Sequence, residues 1–342
     1  MNPFPISLMR RLGLTIFVLI GLSILIFTIA RVLPGDPALM ALGPRAPEWA
    51  VQRLREQLHL NDPLYIQYYY WVRDALQGNL GESLVTRRNV ASDIIEFFPA
   101  TLELVLFAAI IDVVFAISLG VLAGRYANTW FDNLVRVISY IGVAVPAFVF
   151  AIIFLLIFGY TLDIMPTGGR LSPGIVYPPT ITGLLTFDAL FAGRLDVLGD
   201  ALWHLVLPGV ALALGCIAQE ARITRSSVVE NLNKDYILSA TSHGIPERMI
   251  MLKYLLKPSL IPTVSIMALD IASLIAMSFL VELIFNWPGF SRYGIVAMLR
   301  KDLNAIVGVV MMVGLVYALV NILVDALVAY LDPRIRMAER AK

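Results

Sequence analysis

The sequence predicts an all-α integral membrane protein with six transmembrane helices. Both termini are expected in the cytoplasm, with a large extracytoplasmic loop between helices 1 and 2 and a cytoplasmic helical loop between helices 4 and 5. Three observations carry this reading. Apolar residues make up 59% of the 342 and charged residues only 15%, with a mean hydropathy of +0.80, too hydrophobic for an ordinary soluble domain of this length. Uncharged runs of membrane length recur along the chain. Between two of them lies a polar, cationic stretch, residues 231–262 (NLNKDYILSATSHGIPERMIMLKYLLKPSLIP), which must leave the bilayer.

The first run, residues 12–30, follows Arg10 and Arg11 and holds no charge. It is long for the apolar core of a signal sequence, and Arg31-Val32-Leu33-Pro34 follows in place of a small-residue cleavage site, so it reads as a retained span. Further spans are expected near residues 102–123, 137–160, 201–218, 260–285 and 303–330. Lys and Arg near the span ends set the orientation. With the N terminus inside, the inner segments hold Arg10, Arg11, Arg125, Arg136, Arg222, Arg225, Lys234, Arg248, Lys253, Lys257 and the basic tail Arg334, Arg336, Arg340 and Lys342. The outer segments lean acidic: residues 34–99 carry eight acids against six bases, and residues 161–200 four against two.

The long first loop has structure of its own. Residues 49–60 repeat apolar side chains at Val51, Leu54 and Leu58, one face of a helix. Residues 65–76 bring Tyr65, Tyr68, Tyr69, Tyr70 and Trp71, rings suited to a membrane–water boundary or to a partner. Residues 90–98 read as a short amphipathic helix ending at Pro99. In the polar stretch, residues 235–243 form a short helix, Gly244 supplies the left-handed residue that closes it, and Pro246 opens a second helix to Lys257, which Pro258 should kink or end. Small residues Ser239, Ala240, Thr241 and Ser242 give the first helix a low surface that another protein can approach.

Catalytic and redox patterns are missing. There is no GxxxxGK[ST] phosphate loop, HExxH, CxxC or GxSxG, His59, His204 and His243 are scattered, and Cys216 stands alone in an apolar run. A net charge of +1 with dispersed bases gives no reason to expect nucleic-acid binding. The intramembrane acids are the better lead. Asp112 and Asp270, midway along their spans, would each cost about 2.5–3.5 kcal/mol facing lipid, so they face protein or water. They either line a hydrated path and meet a cationic group of a solute, or lock two helices. Glu103 and Glu282 fall nearer the outer ends, with water in reach. Gly142, Pro146, Gly209, Gly215, Gly308 and Gly314 inside the spans allow close packing or hinging.

Ala240, Gly244 and Ile261-Pro262 resemble the alanine–glycine cytoplasmic loop of binding-protein-dependent ABC importer permeases. The likeness extends over nearly the whole chain. It takes in Leu33-Pro34-Gly35-Asp36-Pro37, Gln67-Tyr68, Trp71, Gly78-Asn79-Leu80-Gly81-Glu82-Ser83, Pro99-Ala100-Thr101-Leu102-Glu103-Leu104, Pro146-Ala147-Phe148, Trp203-His204-Leu205-Val206-Leu207-Pro208, Arg222-Ile223-Thr224-Arg225, Asn286-Trp287-Pro288-Gly289 and Leu331-Asp332-Pro333-Arg334-Ile335-Arg336. These resemble the dipeptide, oligopeptide and nickel class, and within it the first of two permease subunits. Tyr254 and Pro258 depart from that pattern, which often has histidine and asparagine there.

The resemblance implies a division into residues 1–33 (N terminus and first span), 34–98 (extracytoplasmic loop), 99–331 (permease core with five spans) and 332–342 (cytoplasmic tail). It implies a prokaryotic multi-pass cell-membrane protein that pairs with a second, homologous permease subunit. Two ATP-binding subunits inside would carry the ATP and magnesium, so that this chain holds no cofactor and is no enzyme, and an extracytoplasmic solute-binding protein would deliver cargo. Di- or oligopeptides are the expected cargo, with nickel complexes, oligosaccharides or other small solutes as alternatives. Asp235, Tyr236, Ser239, Ala240, Thr241, Gly244 and Arg248 would form the ATPase-coupling loop, and Asp112, Asp270 and Glu282 the translocation path. A secondary transporter would show inverted repeats and a channel subunit a filter motif; neither stands out.

Overall fold

A computed structural model describes residues 3–32, 37–43, 45–57 and 59–331. Part of the Leu33–Pro37 motif and the basic tail lie outside them, as do the side chains of Arg10 and Arg11. Among the described residues there is no β-strand, only one isolated bridge between Glu82 and Asn89. The helices are α1 (Pro3–Val32), α2 (Pro37–Leu42), α3 (Glu48–Gln57), α4 (Leu64–Leu76), α5 (Val90–Arg125), α6 (Trp130–Ala144), α7 (Ala147–Phe154), α8 (Leu185–Phe191), α9 (Leu195–Leu232), α10 (Asp235–Ser242), α11 (Glu247–Met249), α12 (Leu256–Ile284), α13 (Phe290–Leu299) and α14 (Leu303–Leu331).

Four described helices are long and apolar enough to cross a membrane: Val90–Arg125, Leu195–Leu232, Glu247–Ile284 and Leu303–Val324. A fifth span is available if α6 and the α7 segment count as one, but these are bent by 108°. The span expected over residues 137–160 is therefore sharply bent at its middle. Pro146 has no N–H to donate and pushes the residue before it out of the helical region; Val145 is extended at φ −101°, ψ 124°. The apolar part of α1, Gly13–Ile29, is shorter.

Two expected breaks are absent. The short helix at residues 90–98 continues through Pro99 into the following span as one 36-residue helix. Its start is fixed by Asn89, whose side chain accepts from the Ala91 amide at 2.8 Å. Pro258 does not end its helix either. From Ile250 to Leu255 the chain makes wide, π-type turns, and the α-helical bonding restarts at Leu256. Pro258 thus falls in a first turn, where a missing N–H costs little.

The bundle is organised on α9, which packs against α5, α6, α7, α8 and α12. Buried Leu104, Val105 and Ala108 of α5, Leu205, Leu212 and Ile217 of α9, Leu274 and Ile275 of α12, and Trp287 form one continuous core. The α5–α9 contact relies on Gly120 and Gly124, a G-x-x-x-G pair not singled out above. A Cβ at Gly120 would overlap Thr224 and come within 2.7 Å of the Ala221 carbonyl oxygen, and one at Gly124 would come within 2.7 Å of Val228. Small residues let two membrane helices approach until their backbones nearly touch. On the outside of the bundle α1 lies against α14, with Gly314 under Leu22.

The aromatic helix α4 is clamped to α1. The hydroxyl oxygens of Tyr68 and Ser23 are 2.7 Å apart, and Phe27 meets Tyr68 edge-on at 5.3 Å and Trp71 at 5.8 Å. Tyr68 and Trp71 therefore serve packing, while Tyr65 and Tyr69 remain exposed.

Gly120→Ile should destabilise the detergent-solubilised chain by about 1–3 kcal/mol through overpacking, read as a lowered unfolding temperature. Gly199→Ala, at a helical glycine with nothing within 4 Å of an added Cβ, should be neutral or stabilising by about 0.4–1 kcal/mol. Equal effects of the two would refute the close-approach account.

Candidate functional site

At one end of the bundle α10, Gly244 and α11 form an exposed elbow. Gly244 is left-handed at φ +69°, a conformation costing another residue about 1–2 kcal/mol, and nothing lies within 4 Å of an added Cβ. Its role is conformational, not steric. The Ile245 amide donates back to the Ala240 carbonyl at 3.2 Å and the Gly244 amide to Thr241 at 3.0 Å, closing the first helix. Pro246 sits just before the next helix, whose Ile250 amide reaches its carbonyl at 3.1 Å.

Small residues behave differently here from the expected bald surface. Ala240 turns inward: with Ile237, Ile250, Leu255 and Val228 it builds a separate apolar core under the elbow. Ser239, Thr241 and Ser242 are exposed. Thr241 and Ser242 return their hydroxyls to the carbonyls of Ile237 and Leu238, both at 2.9 Å. Asp235, Tyr236 and Arg248 are exposed too. The Tyr236 hydroxyl donates to the Asn231 side chain at 2.7 Å, and partial desolvation of that phenol raises its pKa above the ordinary value. Because α11 runs through the wide turns into α12, the elbow is continuous with one 38-residue helix, Glu247–Ile284. A strut not foreseen from the sequence joins it to α5: Arg125 donates to Glu247 at 2.6 Å.

The three expected path acids do not share one place. Asp112 and Asp270 come together around Glu220 of α9, which neighbours both. Glu220 escaped notice because α9 extends to Leu232, well beyond the span end expected at residue 218. The pair Gln219-Glu220 inside a helical continuation was the available signal. Glu282 lies 12 residues beyond Asp270, about 18 Å along a helix, and is fully buried. Its Oε2 accepts from the Arg292 amide at 2.8 Å, and it fills the space beside Gly289. Glu282 thus pins the turn after α12, away from water.

That far end is cross-braced throughout. Glu103 is buried as well, not water-accessible: it accepts from Arg170 at 2.5 Å and from the Thr186 amide and hydroxyl at 2.6 and 2.7 Å. The Trp287 indole donates to the Ala100 carbonyl at 2.9 Å. Asp302 gathers Ser83 and the Leu84 amide, both at 2.6 Å, fixing the loop before α5 onto the start of α14.

Against known proteins, residues 116–337 match the family model described as the binding-protein-dependent transport system inner membrane component. Residues 6–105 match the N-terminal model of the same systems' membrane components. The chain belongs to this family. It is 38% identical over 320 residues, 94% of each chain, to the probable D,D-dipeptide transport system permease protein DdpB of Escherichia coli strain K12. It is 37% identical to the dipeptide transport system permease protein DppB of Alkalihalophilus pseudofirmus, over 96% of this chain and 98% of that one. It is 36% identical to the di/tripeptide transport system permease protein DppB of Pseudomonas aeruginosa, over 96% and 97%. The permease is accordingly a multi-pass inner membrane component of a binding-protein-dependent transport system.

Glu103→Ala would strand Arg170, whose side chain is only 12% exposed, and break a nearly buried pair at a cost of about 3–5 kcal/mol. Hydrogen exchange at the Thr186 amide should accelerate sharply. Unchanged exchange there would show that the brace holds nothing.

Proposed function

We propose that this permease is a membrane subunit of an ATP-driven peptide importer and that the α10–Gly244–α11 elbow receives the force of ATP hydrolysis. One observation carries the mechanical part: the elbow is exposed at its tip, has its own apolar core underneath, and continues without a break into the helix that bears Asp270. A push on α10 is therefore passed on as motion of α12 and, through Arg125 and Glu247, of α5. The permease names of the three relatives, all for dipeptide or di/tripeptide transport, support peptides as cargo.

In this reading α1, α5, α6 with α7, α9, α11 with α12, and α14 are six spans, and both termini and the elbow face the cytoplasm. The first loop, residues 34–98, lies outside, where an extracytoplasmic binding protein delivers peptide. A second, homologous permease completes the path. Two partner subunits bind ATP and magnesium and dock against Asp235, Tyr236, Ser239, Thr241 and Arg248, with Ala240 and Gly244 holding the elbow's shape. Asp112 and Asp270 belong to the moving seam beside the path, and Glu282 to its outer closure.

Gly244→Val, read in the reconstituted complex with its ATPase subunits and binding protein, should abolish peptide uptake either by leaving ATP hydrolysis uncoupled or by preventing assembly. Normal ATP-driven uptake would overturn the elbow's role. Asp270→Asn should alter uptake in a fully assembled complex; uptake unchanged for every accepted peptide would remove the seam from the pathway.

A further inference from the structure

The seam where α5, α9 and α12 meet contains more negative charge than its surroundings can balance. Asp112 and Glu220 have no exposed surface, and none of their four carboxylate oxygens meets an N–H or O–H donor among the described residues. Glu220 nevertheless sits beside both Asp112 and Asp270. Asp270, only partly buried, accepts from the Gln219 side chain at 3.1 Å. Carboxylates crowded together away from water and donors cannot all stay ionised, because burial and like charge both disfavour the charged form.

No cation from the packed helices relieves this. On α5, Arg125 is held by Glu247 at the elbow. On α6, Asp132 engages Arg136 and Arg225. Arg222 of α9 and Lys253 and Lys257 of the helix leading into α12 are exposed. The α7 sequence and residues 303–324 of α14 contain no charged residue. The Cys216 thiol of α9 is a further neighbour among the described residues. Among the described residues no group of His, Cys, Asp and Glu is arranged to hold a metal ion.

We propose that Asp112, Glu220 and Asp270 form a shared proton-binding site, loaded while α5, α9 and α12 are packed and emptied when they separate. On opening, water enters past Asp270, the O–H bond of the shared carboxylic acid breaks, the proton passes to that water, and the carboxylates are left hydrated and charged. The packed conformation binds more protons than the open one, so low pH favours packing and high pH favours opening. The site titrates as a unit, with no single residue owning the proton. Proton occupancy itself stands apart from the transport reading; only its effect on turnover rests on that reading.

The experiment is infrared spectroscopy of the assembled complex in lipid at neutral pH, with hydrogen–deuterium exchange. A protonated-carboxyl carbonyl band that shifts in deuterium is expected in the native complex, and its loss is expected in both Glu220→Gln and Asp112→Asn. The same preparations are then assayed for uptake across pH, where either variant should flatten the native profile. A native complex without the band, or a band that survives in both variants, overturns the proposal while leaving peptide import intact. Displacement of the band by an added alkylammonium ion or divalent metal would overturn it in favour of a cation site. Were the complex inactive in uptake, the band would still decide the question.

Discussion

The near-contact of α5 and α9 backbones at Gly120 and Gly124 is the constraint on which the rest of this structure depends. Lipid offers apolar side chains no reason to leave it, so membrane helices associate through close packing. Two glycines let α9 become a central post around which α5, α6, α7, α8 and α12 are arranged. Bulky residues there would push α9 outward, and with it the apolar core and the acids on three helices. The position of Glu220 against Asp112 follows from that approach.

The two ends of the bundle differ in how they are held. Opposite the elbow, loops are tied down by side chains far apart in sequence: Ser83 to Asp302, Arg170 to Glu103, Trp287 to Ala100. These bonds are short, largely buried and mutually supporting, so that end behaves as a braced cap. At the elbow end, α11 itself is tied to the bundle by a small apolar core and the exposed Arg125–Glu247 pair, of a kind worth about 0–1 kcal/mol, while Asp132 of α6 holds Arg225 of α9 beneath it.

Much of this was legible in the sequence, for physical reasons. Four long apolar helices declared themselves through hydropathy, and the elbow through backbone chemistry that acts locally: Gly244 adopts φ > 0 and Pro246 precedes a helix. Features decided by tertiary packing were not legible. Pro99 and Pro258 announce breaks that the surrounding helix overrides, whereas Pro146 makes a far sharper bend than a proline alone requires. Ala240 reads as a surface residue until Val228 and Leu255 are placed over it. Glu220 and the Gly120–Gly124 pair lie in plain view, but their importance comes from what α9 brings opposite them.

The wide turns at Ile250–Leu255 carry a further consequence. Such a turn absorbs an extra residue, and one residue rotates an α-helix by about 100° about its axis. The face that α12 shows to its neighbours is therefore set independently of the direction in which the elbow points. A change of length there would re-aim the elbow while Asp270 keeps its bearing toward α9.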